Sequence, residues 1–197
     1  MIMFDEVRKA LTQRPEAPAR PAEEQAAVAA ILHGPPQQAE VLFILRATVP
    51  GDPWSGHVAF PGGRREPADA SLRDTAIRET QEELGIDLTG GRLLGALDDV
   101  GPVSRRKPLV VRPFVFHLPQ LPAALPNREV AEVLHVPLSG LLEGHGRGTF
   151  PFVWEGQTVT LPRVDMHGHR LWGMTLRMVD DLLHRLDGGG VGLARRG

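Results

Sequence analysis

A chain of 197 residues is long enough for one domain with a buried core, and its 42% apolar and 23% charged content is that of a globular protein. A formal net charge of -2 argues against a general nucleic-acid or membrane-surface binder, while leaving room for a local basic patch. The absence of cysteine excludes disulfides, thiolate nucleophiles and cysteine-ligated zinc, and no apolar run approaches the roughly 20 residues of a membrane span. Asp5, Glu6, Arg8 and Lys9 stand where a signal peptide would carry its apolar core. A soluble, cytoplasmic protein is therefore expected.

Residues 3–13 are predicted to form a short helix, with Phe4, Val7, Ala10 and Leu11 spaced for one apolar face. Pro15, Pro18 and Pro21 make the next stretch an extended connector, so residues 1–24 are read as a helix and linker ahead of the domain. Ala26–Leu32 is an apolar run ending in the turn signal His33-Gly34-Pro35-Pro36. Val41–Leu45 follows as a buried strand, and the two segments are expected to pair across that turn. The stretch 47–59 reads as loop. Ser71 is a good N-cap with Asp74 three residues on, Leu72, Ala76, Ile77, Thr80 and Leu84 supply a buried side, and Gly85 fits the position just past the helix end. Strands are predicted at 93–97 and 109–118, with Arg105-Arg106-Lys107 in the loop between them. Further on come a short helix at 137–142, strands near 150–154 and 158–161, and a last helix at 175–186. The Gly-rich residues 188–197 read as a flexible tail, which leaves 25–187 as the main domain. Strands before, between and after two main helices indicate an α/β or α+β fold with a mixed sheet.

The chemistry concentrates in the helix after Ser71. Glu79, Glu82 and Glu83 fall at i, i+3 and i+4, and so share one face. Such like charges repel by about 0.2–0.5 kcal/mol per pair on an isolated helix. Either the face is simply solvated, or something offsets the repulsion, for which a divalent cation is the simplest candidate. Carboxylate and carbonyl oxygens are the ligands that Mg²⁺ and Mn²⁺ prefer. The Gly62-Gly63 turn would let a backbone carbonyl approach such an ion, and Arg78, four residues before Glu82, could orient the carboxylates.

Gly63, Arg78-Glu79, Glu82-Glu83, Gly85 and Ile86 together resemble the signature of the Nudix hydrolase family. That signature runs Gly, five residues, Glu, seven residues, Arg-Glu, an apolar residue, any residue, Glu-Glu, any residue, Gly and an apolar residue. The second half matches with Thr80 at the aliphatic position, whereas the first half has Asp69 for Glu and eight residues before Arg78. The resemblance implies an α/β/α sandwich with a mixed sheet. It also implies hydrolysis of a nucleoside diphosphate linked to another group, with Mg²⁺ or Mn²⁺ held by Glu79, Glu82, Glu83 and the Gly62 carbonyl.

A finer similarity is to the coenzyme A pyrophosphatases of that family. It rests on Arg46-Ala47, on Gly56 with Phe60-Pro61-Gly62-Gly63, and on the displaced acid of Asp69-Ala70-Ser71. Downstream it rests on Ser104 with Val111 and Pro113, on the blocks Glu129-Val130 and Val136-Pro137-Leu138, and on Leu171-Trp172-Gly173-Met174-Thr175. The similarity covers roughly residues 25–185, and it departs at Leu45-Arg46, which lacks the Thr often found before the Arg. It implies cleavage of CoA or its thioesters into 3′,5′-ADP and 4′-phosphopantetheine or its acylated form. A monomer or homodimer is expected, with a small-molecule substrate and, from charge and hydropathy, no nucleic-acid or membrane partner. The alternatives are a Nudix enzyme for another nucleoside diphosphate derivative such as ADP-ribose, or a non-catalytic Nudix-fold binding protein, which would be expected to lose box glutamates.

Each remaining candidate carries two readings. Arg46 either contacts a phosphate or is a strand-end surface residue. Arg105 and Arg106 either meet the 3′-phosphate of CoA or form a solvated basic loop. Glu129, and less well Glu132, either supplies a carboxylate from outside the box as ligand or general base, or is a surface residue. Asp69 reads as a helix-start or loop acid more than a metal ligand. The His167-x-His169 pair with His145 fits no strong zinc motif. His57 either lines the pocket or is structural, and Trp54 and Trp172 either stack on adenine or are buried.

Overall fold

The computed structural model describes residues 4–12, 24–52, 54–102 and 109–186. The connector prolines, Arg105-Arg106-Lys107 and the tail from Gly188 lie outside these residues.

Strand β1 (Glu24–His33) carries a near-continuous small and aliphatic run, which suits a strand covered on both faces. It pairs in parallel with β6 (Leu109–Leu118) over its whole length, from Glu24 opposite Leu109 to His33 opposite Leu118. Strand β2 (Glu40–Arg46) returns antiparallel across the expected turn, but its pairing with β1 covers only Ile31–His33 against Glu40–Leu42. Beyond that point the two strands take different neighbours. β1 pairs with β4 (Gly62–Arg64), while β2 pairs with β3 (Val58–Ala59) along its last residues. The sheet is thus split between β1 and β2, and the segment carrying Gly62 and Gly63 enters the split. β7 (Val130–Pro137) lines the other edge of β2, and β5 (Arg92–Ala96) pairs with β6, completing a seven-stranded mixed sheet.

Alternation along the strands divides the core into two layers. Ala26, Ala30, Leu32, Val41 and Phe43 face one layer, which also takes Val7 and Leu11 of α1 (Phe4–Thr12) and Leu176, Val179, Leu182 and Leu183 of α4 (Gly173–Leu186). Ala27, Ala29, Ile31, Leu42 and Ile44 face the other, under Leu72, Ala76 and Leu84 of α2 (Leu72–Leu84). The result is the expected α/β/α sandwich with a mixed sheet. A separate three-stranded sheet of β8 (Arg147–Trp154), β9 (Gln157–Met166) and β10 (His169–Trp172) follows the short helix α3 (Leu138–Leu142).

The departures from the predicted elements have local causes. β3 and β4 lie in or beside a Gly- and Pro-rich stretch with no apolar alternation, and the split sheet imposes their pairing. β9 runs on to Met166, and β10 adds a strand at His169–Trp172, where polar side chains hide the period.

Candidate active site

Helix α2 forms as its sequence dictates. Ser71, at extended φ and ψ, accepts the Asp74 N–H on its hydroxyl at 3.2 Å and donates to the Asp74 carboxylate at 2.7 Å. Gly85 ends the helix at φ +68°, its N–H donating to the Gln81 carbonyl at 2.9 Å. Two further C-terminal carbonyls are taken up by the following loop, since Leu125 N–H donates to Leu84 O at 2.7 Å and Asn127 N–H to Glu83 O at 2.8 Å. Asn127 then accepts the Glu129 N–H on its side chain at 2.8 Å. By this chain of bonds the loop carries Glu129 to the acidic helix, close enough for its charge to be felt at both Glu79 and Glu83.

The Gly-Gly segment meets the helix from the split sheet. Gly62, at φ +147°, donates its N–H to Glu83 Oε2 at 2.8 Å. A Cβ there would lie 2.3 Å from the Ala27 carbonyl oxygen, and one on Gly63 would lie 2.5 Å from the Glu79 carboxylate. Gly62 therefore requires glycine, because the β1 backbone cannot give way, whereas a side chain at position 63 would displace the Glu79 carboxylate.

Arg78 organises two of the three glutamates. Its Nη1 reaches Glu79 Oε1 at 3.1 Å and Glu82 Oε1 at 3.3 Å, and its Nη2 reaches the Arg64 carbonyl at 3.0 Å. The other side of the guanidinium forks onto Asp69, Nε to Oδ1 at 2.9 Å and Nη2 to Oδ2 at 3.0 Å. Asp69 is buried and also accepts from Thr75 Oγ1 at 2.9 Å and from the Glu66 N–H at 2.8 Å. The Arg78 bond, with these donors, holds the Asp69 carboxyl well below the usual carboxylate range. Asp69 is thus a loop acid, as expected, and it clamps the arginine. The sequence reading missed that buried pair, for which the acid displaced by one position was the available signal.

The electrostatics of the helix face are uneven. Glu82 is exposed, Glu79 is half-buried and Glu83 is 2% exposed. Burial pushes the Glu83 carboxyl up to about 7; Glu79 and Glu129 add to the rise, while the Gly62 N–H and Arg46 oppose it. Burial also raises Glu79, with Arg78 opposing. The oxygens of the three glutamates are not gathered within a single ligand-sized cluster, because Arg78 holds two of them. The donor set still fits a hard divalent cation: every side-chain donor is a carboxylate, and the two more buried ones are disfavoured as anions until positive charge arrives.

Arg46 ends β2 and donates from Nη2 to Asp52 Oδ2 at 3.2 Å. Its Nε is buried and has no hydrogen-bond partner among the described residues. Its charge reaches Glu83, and the neighbouring Ala47 N–H donates to the Glu129 carbonyl at 2.8 Å, so the end of β2 lies beside these two glutamates. Arg105 and Arg106 lie outside the described residues. His57 sits beside Arg46, whose N–H donates to the His57 carbonyl at 3.0 Å, and its ring lies 4.9 Å from Trp172. Trp172 in turn packs against Phe150 and Phe152 at 5.4 and 5.2 Å, forming an aromatic wall beside the Arg46 loop. Trp54 is partly buried against the core.

Glu132, the second candidate outside the box, is engaged by His169 Nε2 at 2.9 Å. His145 lies 3.1 Å from Glu143, and His167 occupies the β9–β10 turn at φ +48°. Among the described residues, none of the three histidines weighed for zinc belongs to a metal-sized cluster of ligand atoms.

The sequence profile of the NUDIX domain matches residues 23–151. The mitochondrial coenzyme A diphosphatase NUDT8 of Mus musculus is 36% identical over 140 residues, which cover 68% of this chain and 65% of that one. The Homo sapiens protein of that name is 37% identical over 150 residues, covering 74% and 62%. The chain thus spans less than two thirds of the length of these two relatives. The uncharacterised Nudix hydrolase NudL of Photorhabdus laumondii is 32% identical over 133 residues, covering 67% and 70%. Among solved structures, the NUDIX domain of Shewanella oneidensis NrtR, complexed with ADP ribose, superposes with a TM-score of 0.56 at 18% identity, over 84% of this chain and 90% of that one. A MutT/nudix family protein from Enterococcus faecalis gives 0.58 at 17%, over 93% and 74%. At such identities these two likenesses speak for the fold. Profile, relatives, sheet and glutamate helix agree, and the chain belongs to the Nudix hydrolase family.

Proposed function

We propose that this chain hydrolyses the diphosphate bond of coenzyme A and its derivatives, releasing 3′,5′-ADP and 4′-phosphopantetheine or its acylated form. The observation that carries the reading is the 36–37% identity to two proteins named coenzyme A diphosphatase. The buried seat of Asp69 supports it, because the one-residue displacement becomes the anchor of Arg78 and not damage to the motif.

In this reading Glu79, Glu82, Glu83 and the Gly62 carbonyl hold Mg²⁺ or Mn²⁺. When bound, the cation neutralises phosphate charge and makes water a better nucleophile. Asp69 fixes Arg78, and Arg78 fixes Glu79 and Glu82, so the carboxylates keep their places as the substrate enters. Arg46 presents its unpartnered Nε to a phosphate oxygen, and Arg105 and Arg106 meet the 3′-phosphate. Glu129 is the carboxylate from outside the helix that accepts a proton from the attacking water. All three box glutamates are present, which speaks against a non-catalytic scaffold.

The test is product analysis by chromatography and mass spectrometry after incubation of CoA with Mg²⁺ or Mn²⁺. Release of 3′,5′-ADP is expected, with loss of turnover in Glu83→Gln at unchanged folding. Intact CoA beside rapid cleavage of ADP-ribose would overturn the substrate and leave a Nudix enzyme for another nucleoside diphosphate derivative. A monomer or homodimer is part of the proposal. So is a cytoplasmic location, although the two mammalian relatives are named mitochondrial; no described helix is long and apolar enough to cross a membrane.

A further inference from the structure

The other end of the split sheet holds a second constellation. His33 ends β1, Glu40 opens β2, and His135 lies in β7. His33 stands directly opposite Glu40, and His135 opposite Leu42, two residues along the same strand. Direct antiparallel partners share a face, as do residues i and i+2, so all three side chains project from one side of three adjacent strands. One ligand atom from each lies within 4.8 Å of the others. His33 Nε2 and His135 Nδ1 face each other at 3.0 Å with their rings nearly perpendicular, and Glu40 Oε2 lies 3.9 Å from His33 Nδ1.

We propose that His33, Glu40 and His135 form a binding site for a divalent transition metal of the Zn²⁺ class, separate from the glutamate helix. Two ring nitrogens at 3.0 Å cannot both carry protons, so at least one already turns a lone pair toward the other. Two imidazoles on one tetrahedral Zn²⁺, each at about 2.05 Å, hold their nitrogens about 3.3 Å apart. The observed spacing needs to open only slightly. Two imidazoles with one carboxylate favour a borderline metal over Mg²⁺, which takes oxygen ligands. The register of three strands fixes the ligand positions, while the exposure of His135 leaves a coordination position open to water. Glu40 and Arg46 stand at opposite ends of β2, about 20 Å apart at roughly 3.3 Å per residue. An ion here would therefore be distinct from one among the box glutamates, and it would tie β1, β2 and β7 together where the sheet is undivided.

The experiment is calorimetric titration of tag-free protein with ZnCl₂ in a large excess of Mg²⁺, which occupies the carboxylate helix, repeated with Co²⁺ to read its ligand field by visible absorption. Wild type and Glu83→Gln are expected to bind Zn²⁺ at one site per chain, and Co²⁺ to give the intense bands of a low-coordinate nitrogen site. Loss of a group that only orients a metal ligand weakens binding by about 10–100-fold, so removal of a ligand in His135→Ala should cost at least about 100-fold. His135 is exposed, so this variant is expected to fold, and Glu40→Gln provides a second exchange with little change in shape. Zinc binding that is absent in the presence of Mg²⁺, or that survives both His135→Ala and Glu40→Gln, would overturn the proposal and leave a His–His hydrogen bond capping the apolar layer.

Discussion

Glu83 offers the sharpest quantitative expectation, because its burial ties ionisation to stability. The carboxyl ionises near its ordinary 4.5 in the unfolded chain and at about 7 in the folded, metal-free protein. Between those values the folded state holds a proton that the unfolded state has released, so stability falls as pH rises through this window. A difference of 2.5 pH units at about 1.36 kcal/mol each gives a loss of about 3 kcal/mol, complete above pH 8. Glu83→Gln keeps an acceptor for the Gly62 N–H without the charge. In EDTA, urea unfolding followed from pH 5 to 8.5 should therefore find the variant increasingly more stable than wild type, by about 3 kcal/mol at the alkaline end. Addition of Mg²⁺ or Mn²⁺ should raise wild-type stability by mass action, and more so at high pH, where no proton need be displaced. A wild-type-to-variant difference that stays flat with pH would refute the reasoning, for it would mean that Glu83 ionises in the fold as easily as in water.

Two further outcomes follow from the neighbours of the helix. Asp69→Asn weakens the fork on Arg78 and should cost about 1.5–3 kcal/mol, the range of hydrogen bonds to charged groups. Because the folded-state ionisation of Asp69 is depressed, that deficit should be full at neutral pH and shrink as pH falls below about 4, measured by urea midpoints at each pH. Gly62→Ala and Gly63→Ala should separate folding from function. The first drives a Cβ into the β1 backbone at φ +147° and should abolish cooperative unfolding or lower Tm sharply, whereas the second displaces the Glu79 carboxylate and should weaken Mn²⁺ binding by about 10–100-fold in a folded protein, read by calorimetry.

How much of this was legible in the chain depended on where the information was stored. Helix α2 carries its own instructions in Ser71, the apolar spacing and Gly85, and β1, β2 and β6 announce themselves as unbroken apolar runs. β3 and β4 carry no such period, because tertiary geometry alone makes them strands. The pairing of Asp69 with Arg78 spans a loop and two helical turns, and neither residue type alone signals a partner. Glu129 illustrates the same limit. Its sequence context suggests a role, but only the capture of the helix carbonyls of Leu84 and Glu83 by Leu125 and Asn127 explains how a distant loop reaches the acidic face. His33, Glu40 and His135 come together only through the pairing of β7 with β2, which their separation in the chain conceals.

The charge arrangement around α2 also bears on the two original readings of its glutamates. A solvated acidic face would expose all three, yet only Glu82 is exposed, and Glu83 is sealed at 2% with one backbone N–H as its donor. Arg78 could have neutralised the group, but Asp69 occupies two of its nitrogens and offsets its charge. Arg46 is likewise shared with Asp52. The helix face and Glu129 therefore present several carboxylates with little uncommitted positive charge, in partly desolvated surroundings where like charges interact more strongly than in water. An anionic diphosphate approaching that face alone would be repelled. On the proposed function, Glu79, Glu82 and Glu83 would hold a divalent cation, whose charge would reverse the sign of the encounter. In that reading substrate and cation have reason to arrive together.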